Sequence, residues 1–366
     1  MYKSYQLNNK VELRNRLVVA PMTTWSSNDD LTVSDQELEY YALRSKEVGM
    51  MITGCTFVNK DYQGFDHEFF GGSDEYIPSL KSLTEAIKSE GAKAILQVFH
   101  AGRKGIANNG ETVSASAVKP TYKSSKREIL TPRAMTTEEV YQFINNFKAT
   151  VKRAIVAGFD GVEIHGANTY LIQQFFSAHT NLRTDEWGGS LEKRIKLPLA
   201  IVKASIEAKK EEKAPNFIIG YRFSPEELED NGITIEDTLY LVDQLSNTEL
   251  DYLHISLGRF DQSSIREKDN TDIIGKLILD KIGGRKPFIG VGGIKNRENI
   301  DAAESIGYDL LAVGSAMITD PEFVSKTKNH QEIKHTVSKS KYKDIKIPDR
   351  LMNVITTSVD WFELEE

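Results

Sequence analysis

The stretch GFDGVEIHGANTYLIQQFFSAHTNLRTDEWGGSLEKR, residues 158–194, decides how the rest of the chain is read. Asp160 to Ile164 alternates polar and apolar positions and then reaches His165, with Asn168 and Tyr170 following at the start of a new helical run. That pattern is a strand that ends in polar groups. In a parallel α/β protein the carboxyl ends of the strands face the ligand site, so His165, Asn168 and Tyr170 are expected to project into it. A hydrogen-bonded histidine and a half-buried tyrosine are the plain structural alternative, although polar groups at strand ends and loops are enriched in sites.

Outward from this stretch, strand-like runs recur at Leu17–Ala20, Met50–Thr53, Ala94–Phe99, Gly161–His165, Phe217–Arg222, Tyr252–Ser256, Phe288–Val291 and Leu310–Val313. Between them lie runs with helical spacing, among them Gln36–Val48, Leu80–Ser89, Thr137–Ala157, Glu192–Glu211, Thr238–Leu245 and Ile273–Ile282. Eight alternations of β and α predict a closed parallel barrel, the (βα)8 or TIM-barrel class. No Gly/Ser-rich or Pro-rich linker divides it, so residues 1–366 are expected to form one domain, with a barrel core over about 15–325 and a C-terminal extension over 326–366. Ala101–Thr136 is polar, lacks a helical period and follows the third strand, which suits either a loop excursion over the site or a structural insertion. The Lys-rich run after Asp320 reads as a solvated face. In the final ITTSVDWFELEE, Trp361 and Phe362 are an apolar pair that could dock on their own barrel or on a neighbouring subunit, which leaves a homo-oligomer open.

Composition narrows the function classes. The 366 residues are 40% hydrophobic and 27% charged, ordinary for a globular protein with a sizeable core. With 46 Lys plus Arg against 53 Asp plus Glu, the net charge of -7 argues against a nucleic-acid partner. The single cysteine, Cys55, allows no internal disulfide and no CxxC for zinc or an iron–sulfur cluster, so no metal is expected. MYKSYQLNN has no apolar core for a signal peptide, and no run approaches the ~20 residues that span a bilayer. A cytoplasmic protein without a membrane partner is the expectation.

HGANTY followed by SAHTNLRTDEWGGSLEKR resembles the Old Yellow Enzyme family of FMN-dependent oxidoreductases. That family's pattern is His, then His or Asn three residues on, then Tyr two further, followed by N-x-R-x-D-x-(Tyr or Trp)-G-G-S. Here Asn181, Arg183, Asp185, Trp187, Gly188, Gly189 and Ser190 fill the second part. The likeness runs from N-R-L-V-V-A-P-M near the start to V-G-S-A-M-I-T-D-P late in the chain. It implies bound FMN, NADH or NADPH as reductant, and an electrophilic small molecule such as an α,β-unsaturated carbonyl as acceptor. It also implies that Tyr5–Arg16 closes the barrel bottom.

The other strand ends carry chemistry that agrees with this. By resemblance Ala20, Pro21, Met22 and Thr23 contact FMN. The Thr23 hydroxyl could bond a flavin and shift its potential, or simply close an ST-turn. Cys55 lies where the family often has Ala beside the flavin, and a small buried thiol is more often packing than a redox catalyst. Gln97, in Q-x-x-H-A-G-R, places an amide inside a barrel strand, where a flavin edge or a core partner must satisfy it. His100 and Arg103 read as loop-ordering groups. Arg222 ends the fifth strand and needs an anion, supplied either by reduced flavin or by an acid such as Glu163. Gly292 and Gly293, then Gly314 and Ser315, end the last two strands, where barrels commonly hold a phosphate. The family usually has Arg at the position of Ser315, so backbone amides and another basic residue are expected to compensate.

The roles implied for catalysis follow the same resemblance. His165 and Asn168 would bond the acceptor's carbonyl oxygen, Tyr170 would protonate its α-carbon as general acid, and Trp25 would shape the pocket. An amine-oxidising flavin barrel, or a phosphate-binding barrel without flavin, stays open at this point, because barrels host many chemistries.

Overall fold

In a computed structural model, residues 1–106, 110–121, 128–358 and 361–366 are described. Eight parallel strands are buried along nearly their whole length, as their continuous apolar runs require of strands covered on both faces. They are β1 (Leu17–Val19), β2 (Met50–Phe57), β3 (Lys93–Phe99), β4 (Gly161–Gly166), β5 (Ile218–Phe223), β6 (Tyr252–Ile255), β7 (Phe288–Val291) and β8 (Leu310–Val313). Each pairs with its neighbour in sequence, and β1 pairs with both β2 and β8, so the sheet closes. This is the expected (βα)8 barrel.

The helices between strands include α1 (Asp35–Ser45), α2 (Ile77–Ser89), α3 (Thr137–Val156), α4 (Lys196–Glu211), α5 (Ile235–Ser246), α6 (Ile274–Ile282) and α7 (Arg297–Ile306). Capping boxes start three of them, with Ser34 and Glu37 on α1, Thr136 and Glu139 on α3, and Thr234 and Asp237 on α5. Gly283 and Gly307, both left-handed, stop α6 and α7.

Two elements differ from the sequence reading for identifiable reasons. The run Glu192–Glu211 is broken at Ile195 into Leu191–Arg194 and α4. Pro198 lies in the first turn of α4; it lacks an N–H and its ring would clash with the Arg194 carbonyl of a continuous helix. β2 runs on past Thr53 to Phe57, with a register irregularity between Ile52 and Cys55. Gly54, which interrupts the pattern in sequence, sits there because a Cβ would come 2.8 Å from the Met22 carbonyl oxygen and 3.2 Å from the Thr23 Cα.

The lead-in forms a small antiparallel pair, Tyr5–Gln6 with Glu12–Leu13. It lies at the amino ends of the strands, where the Tyr5 hydroxyl donates to Asp309 at 3.3 Å and the Asn8 amide to the Arg285 carbonyl at 3.0 Å. The 101–136 excursion includes residues 107–109 and 122–127, which lie outside the described residues; the rest holds a short parallel pair, Val113–Ser114 with Arg133–Ala134. The C-terminal helix α8 (Asp349–Thr357) and Trp361 fold onto the same chain's barrel. Arg350 donates to the Ser27 carbonyl at 2.7 Å, and Trp361 packs edge-on against Trp25 with ring centres 6.1 Å apart. Val359 and Asp360, between them, lie outside the described residues. No helix among the described residues is long and apolar enough to cross a membrane.

Candidate active site

Strand register stacks the site in two levels. Gln97 on β3, Glu163 on β4, Gly220 on β5 and Tyr252 on β6 are partners across neighbouring strands. Two residues further along, on the same faces, are His165, Arg222 and His254. The lower level centres on Glu163, which is fully buried. It accepts from Gln97 Nε2 at 2.7 Å, from the Tyr252 hydroxyl at 3.1 Å and from His254 Nδ1 at 2.8 Å. Burial alone would push this carboxyl up, but His254, Arg222 and the Gln97 amide together hold it below the usual range, so it stays ionised. Gln97 therefore finds protein partners on both sides, since its Oε1 also accepts from the Cys55 thiol at 3.3 Å. Burial raises the Cys55 pKa well above the ordinary thiol value, which makes it a packed thiol and not a nucleophile.

Arg222 answers differently from its acid-pair alternative. Glu163 bonds to Gln97, Tyr252 and His254, while Arg222 has no hydrogen bond or ion pair with the described residues, and its Nε is buried without a partner. A buried guanidinium left so is expensive unless a ligand meets it. Beside it His254 Nε2 is also buried and unpartnered. Because burial lowers the His254 pKa, the ring is neutral, donates Nδ1–H to Glu163 and presents Nε2 as an acceptor. An orphaned donor and an orphaned acceptor at one level fit a ring edge that carries both, as that of FMN does. His254 escaped the sequence reading although it ends a strand just as His165 does.

The third group lies in the turn after β4. The Ala167 N–H donates to His165 Nδ1 at 3.3 Å, so the imidazole carries its proton on Nε2. Burial, with Arg222 and Lys104 nearby, holds its pKa well below the ordinary value, leaving a neutral Nε2–H donor. The Asn168 Oδ1 accepts from the Ser256 hydroxyl at 2.8 Å, which turns the amide so that Nδ2 is the donor on the other side. Its backbone N–H donates to the Ser224 hydroxyl at 2.9 Å. Ser224 and Ser256 directly follow β5 and β6, so the neighbouring strand ends orient Asn168. Asn168 and Thr169 both have left-handed backbones, with φ 56 and 62, and such strain is common where a turn must aim side chains.

Tyr170 packs edge-on to His165 and to Phe99, with ring centres 4.9 and 5.0 Å apart. The Lys104 ammonium lies 4.9 Å over its ring and 3.3 Å from the Asn168 carbonyl oxygen, so the excursion after β3 does reach the site. Phe65 continues the aromatic series from Tyr170 to Trp25, at 6.3 and 5.8 Å, and Trp361 extends it. Trp25, Phe65, His67, Ile106, Arg350 and Trp361 line an open cavity of about 920 Å³. By contrast His100 accepts from the Gly102 N–H at 3.0 Å and Arg103 bonds the Val118 carbonyl at 3.4 Å, both as loop-ordering groups.

The remaining predicted residues meet along the β1, β7 and β8 ends. The Ala20 N–H donates to the Val313 carbonyl at 2.9 Å, and a Cβ on Gly314 would lie 3.6 Å from Met22 Sδ. From there the Pro21–Thr23 segment crosses to β2, where a Cβ at Gly54 would lie 3.2 Å from the Thr23 Cα. Gly292 and Gly293 have φ 108 and 66, a turn only glycine takes without strain, and a Cβ at Gly292 would lie 2.5 Å from the Leu257 carbonyl oxygen. The turn leaves backbone open at the barrel mouth, and Ser315 is exposed beside it. The run from Asn181 to Ser190 is scaffolding: Asn181 Nδ2 bonds the Phe175 and Trp187 carbonyls, and Arg183 grips Asp185 together with carbonyls of the excursion.

Known proteins resemble this chain over its length. Residues 1–334 match the model of the NADH:flavin oxidoreductase / NADH oxidase family. The probable NADH-dependent flavin oxidoreductase YqiG of Bacillus subtilis is 40% identical over 366 residues, covering 99% of this chain and 97% of that protein. The NADH:acrylate oxidoreductase of Vibrio harveyi is also 40% identical, over 94% of this chain but only 35% of its own length. Among solved structures, the Old Yellow Enzyme homologue from Zymomonas mobilis superposes with a TM-score of 0.80 at 23% identity, covering 91% of this chain and 94% of that one, a likeness of fold.

Proposed function

We propose that this chain, which belongs to the NADH:flavin oxidoreductase / NADH oxidase family, reduces the carbon–carbon double bond of an α,β-unsaturated carbonyl compound. It is an NAD(P)H-dependent flavin oxidoreductase on a (βα)8 barrel, acting on small molecules. The chemistry that FMN supplies when bound is hydride transfer, in from NADH or NADPH and out to the acceptor.

The chain's own residues do the rest. His165 Nε2–H and Asn168 Nδ2–H donate to the acceptor's carbonyl oxygen and stabilise the negative charge that develops there as the β-carbon takes hydride. The Tyr170 hydroxyl gives its proton to the α-carbon, which completes the saturated product. Arg222 and His254 meet the cofactor ring edge, with Glu163 and Gln97 beneath them; the Ala20–Thr23 segment and Cys55 pack on it, and Gly292, Gly293, Gly314 and Ser315 receive its phosphate. Phe65, Trp25 and Trp361 give planar acceptors aromatic walls. We treat residues 1–366 as one unit, because the C-terminal segment packs on Ser27 and Trp25 of the same chain. A reducing cytoplasm suits its lone thiol.

The observation that carries this reading is the pair of donors at His165 and Asn168, each held from behind by a protein group, with the His165 ring edge-on to Tyr170. Its test is anaerobic: protein loaded with FMN should lose its flavin absorbance with NADH or NADPH and regain it on adding 2-cyclohexenone. Absorbance that stays bleached with the enone would sink the proposal while leaving the family intact.

A further inference from the structure

We infer that Arg259 supplies the cation for the flavin phosphate that Ser315 does not, an assignment that rests on the functional reading above. A phosphate at the β7 and β8 ends meets backbone N–H groups but, with Ser315 exposed there, no basic side chain from β8. Arg259 is brought to the same place by the loop after β6. The Gly292 backbone lies directly against that loop: a Cβ at Gly292 would be 2.7 Å from the Arg259 nitrogen and 2.7 Å from the Gly258 carbonyl carbon. A Cβ at Gly293 would lie 3.8 Å from Arg259 Cγ, so the start of the Arg259 side chain lies beside the glycine turn.

The loop is held rigidly enough to make this placement meaningful. The Phe260 N–H donates to the Gly292 carbonyl at 2.9 Å, and the Tyr308 hydroxyl donates to the Phe260 carbonyl at 2.7 Å from beneath the barrel mouth. The guanidinium itself remains accessible, with its side chain 73% exposed. Two of its nitrogens bond Asp261, Nε at 3.0 Å and Nη2 at 2.8 Å, and among the described residues Nη1 has no hydrogen-bond partner. An exposed pair of this kind contributes little to stability, so trading the carboxylate for a phosphate dianion meets little resistance. The planar fork suits a phosphate, and the bond to it is charge-assisted. Lys295, which follows the same turn, is exposed, and Arg297 is committed to Asp301 at 2.7 Å.

The experiment titrates apoprotein with FMN and, separately, with riboflavin, which lacks the phosphate, and follows flavin fluorescence. Arg259→Ala should raise the FMN dissociation constant about 10-fold to 100-fold and leave riboflavin within about 2-fold. Adding Ser315→Arg to that variant should recover most of the loss, whereas Lys295→Ala alone should change little. An unchanged FMN affinity in Arg259→Ala, or equal losses for FMN and riboflavin, would overturn the assignment alone. Wild-type protein that binds neither flavin would overturn the functional reading as well.

Discussion

At the ends of β4 and β6 three functional side chains are held from behind by another residue: His165 by the Ala167 amide, Asn168 by Ser256, His254 by Glu163. At the ends of β7 and β8 the working surface is backbone, shaped by Gly292, Gly293 and Gly314, which have no side chain to hold. In the first region, function depends on the direction of a few donors, so its information lies in partners that select one rotamer or tautomer. In the second it depends on how closely backbone can approach a ligand, so its information lies in missing atoms. The two regions should therefore fail differently. Damage to the His165–Asn168 donor pair should slow chemistry with the cofactor still bound, and damage to the glycine region should loosen the cofactor with chemistry intact once it is saturating.

The sharpest way to break this contrast is the double change His165→Ala and Asn168→Ala. Turnover of an enone should fall on the order of 100-fold or more, with FMN affinity nearly unchanged, since one donor of this type is commonly worth that much. Phenol, an enolate mimic, should also bind more weakly. Loss of FMN instead would erase the distinction between the regions. Gly292→Ala is the converse test. Its backbone conformation alone should cost about 1–3 kcal/mol, and the Leu257 oxygen 2.5 Å from the new Cβ adds overlap. Thermal unfolding should show a lowered midpoint and FMN titration a weakened affinity, while turnover at saturating FMN should hold.

Ser256→Ala should have a smaller effect, roughly a few-fold on turnover, because it removes only the group that orients the Asn168 amide. The least effect is on pH dependence. Burial pushes His100 down to about 3, so the folded chain favours the neutral ring. The stability this contributes is fully present above the unfolded value of about 6.5 and is lost as pH falls from there toward the folded value. Urea unfolding should show a decline below neutral pH that is shallower in His100→Asn. The same wild-type slope in that variant would assign the decline to other groups.

The barrel was legible because eight apolar runs, each bounded by helical spacing or turns, leave few alternatives. Boundaries failed where one residue broke a pattern: Gly54 hid the second half of β2, and Pro198 split a helix that periodicity alone ran together. In the site, His165, Asn168, Tyr170, Gln97, Arg222 and the glycine turns stood out because each is a polar or special residue at a strand end. Their partners did not. Glu163 and His254 lie 91 positions apart, and Ser256 lies 88 from Asn168, so only strand register brings them together. Gln97 illustrates the consequence: its buried amide signalled a ligand edge, and the fold meets it with Glu163 and Cys55. Arg222 carried the same signal and hydrogen-bonds no described residue, with only the Glu163 charge near it.

The central claim is that Tyr170 delivers a proton to a substrate whose carbonyl is held by its two neighbours, and stopped-flow spectroscopy of Tyr170→Phe tests it most directly. Flavin bleaching by the nicotinamide should proceed at close to the wild-type rate, while reoxidation by an enone slows on the order of 100-fold or more, the scale of a lost general acid. Equal slowing of both half-reactions, or reoxidation at the wild-type rate, would contradict the account.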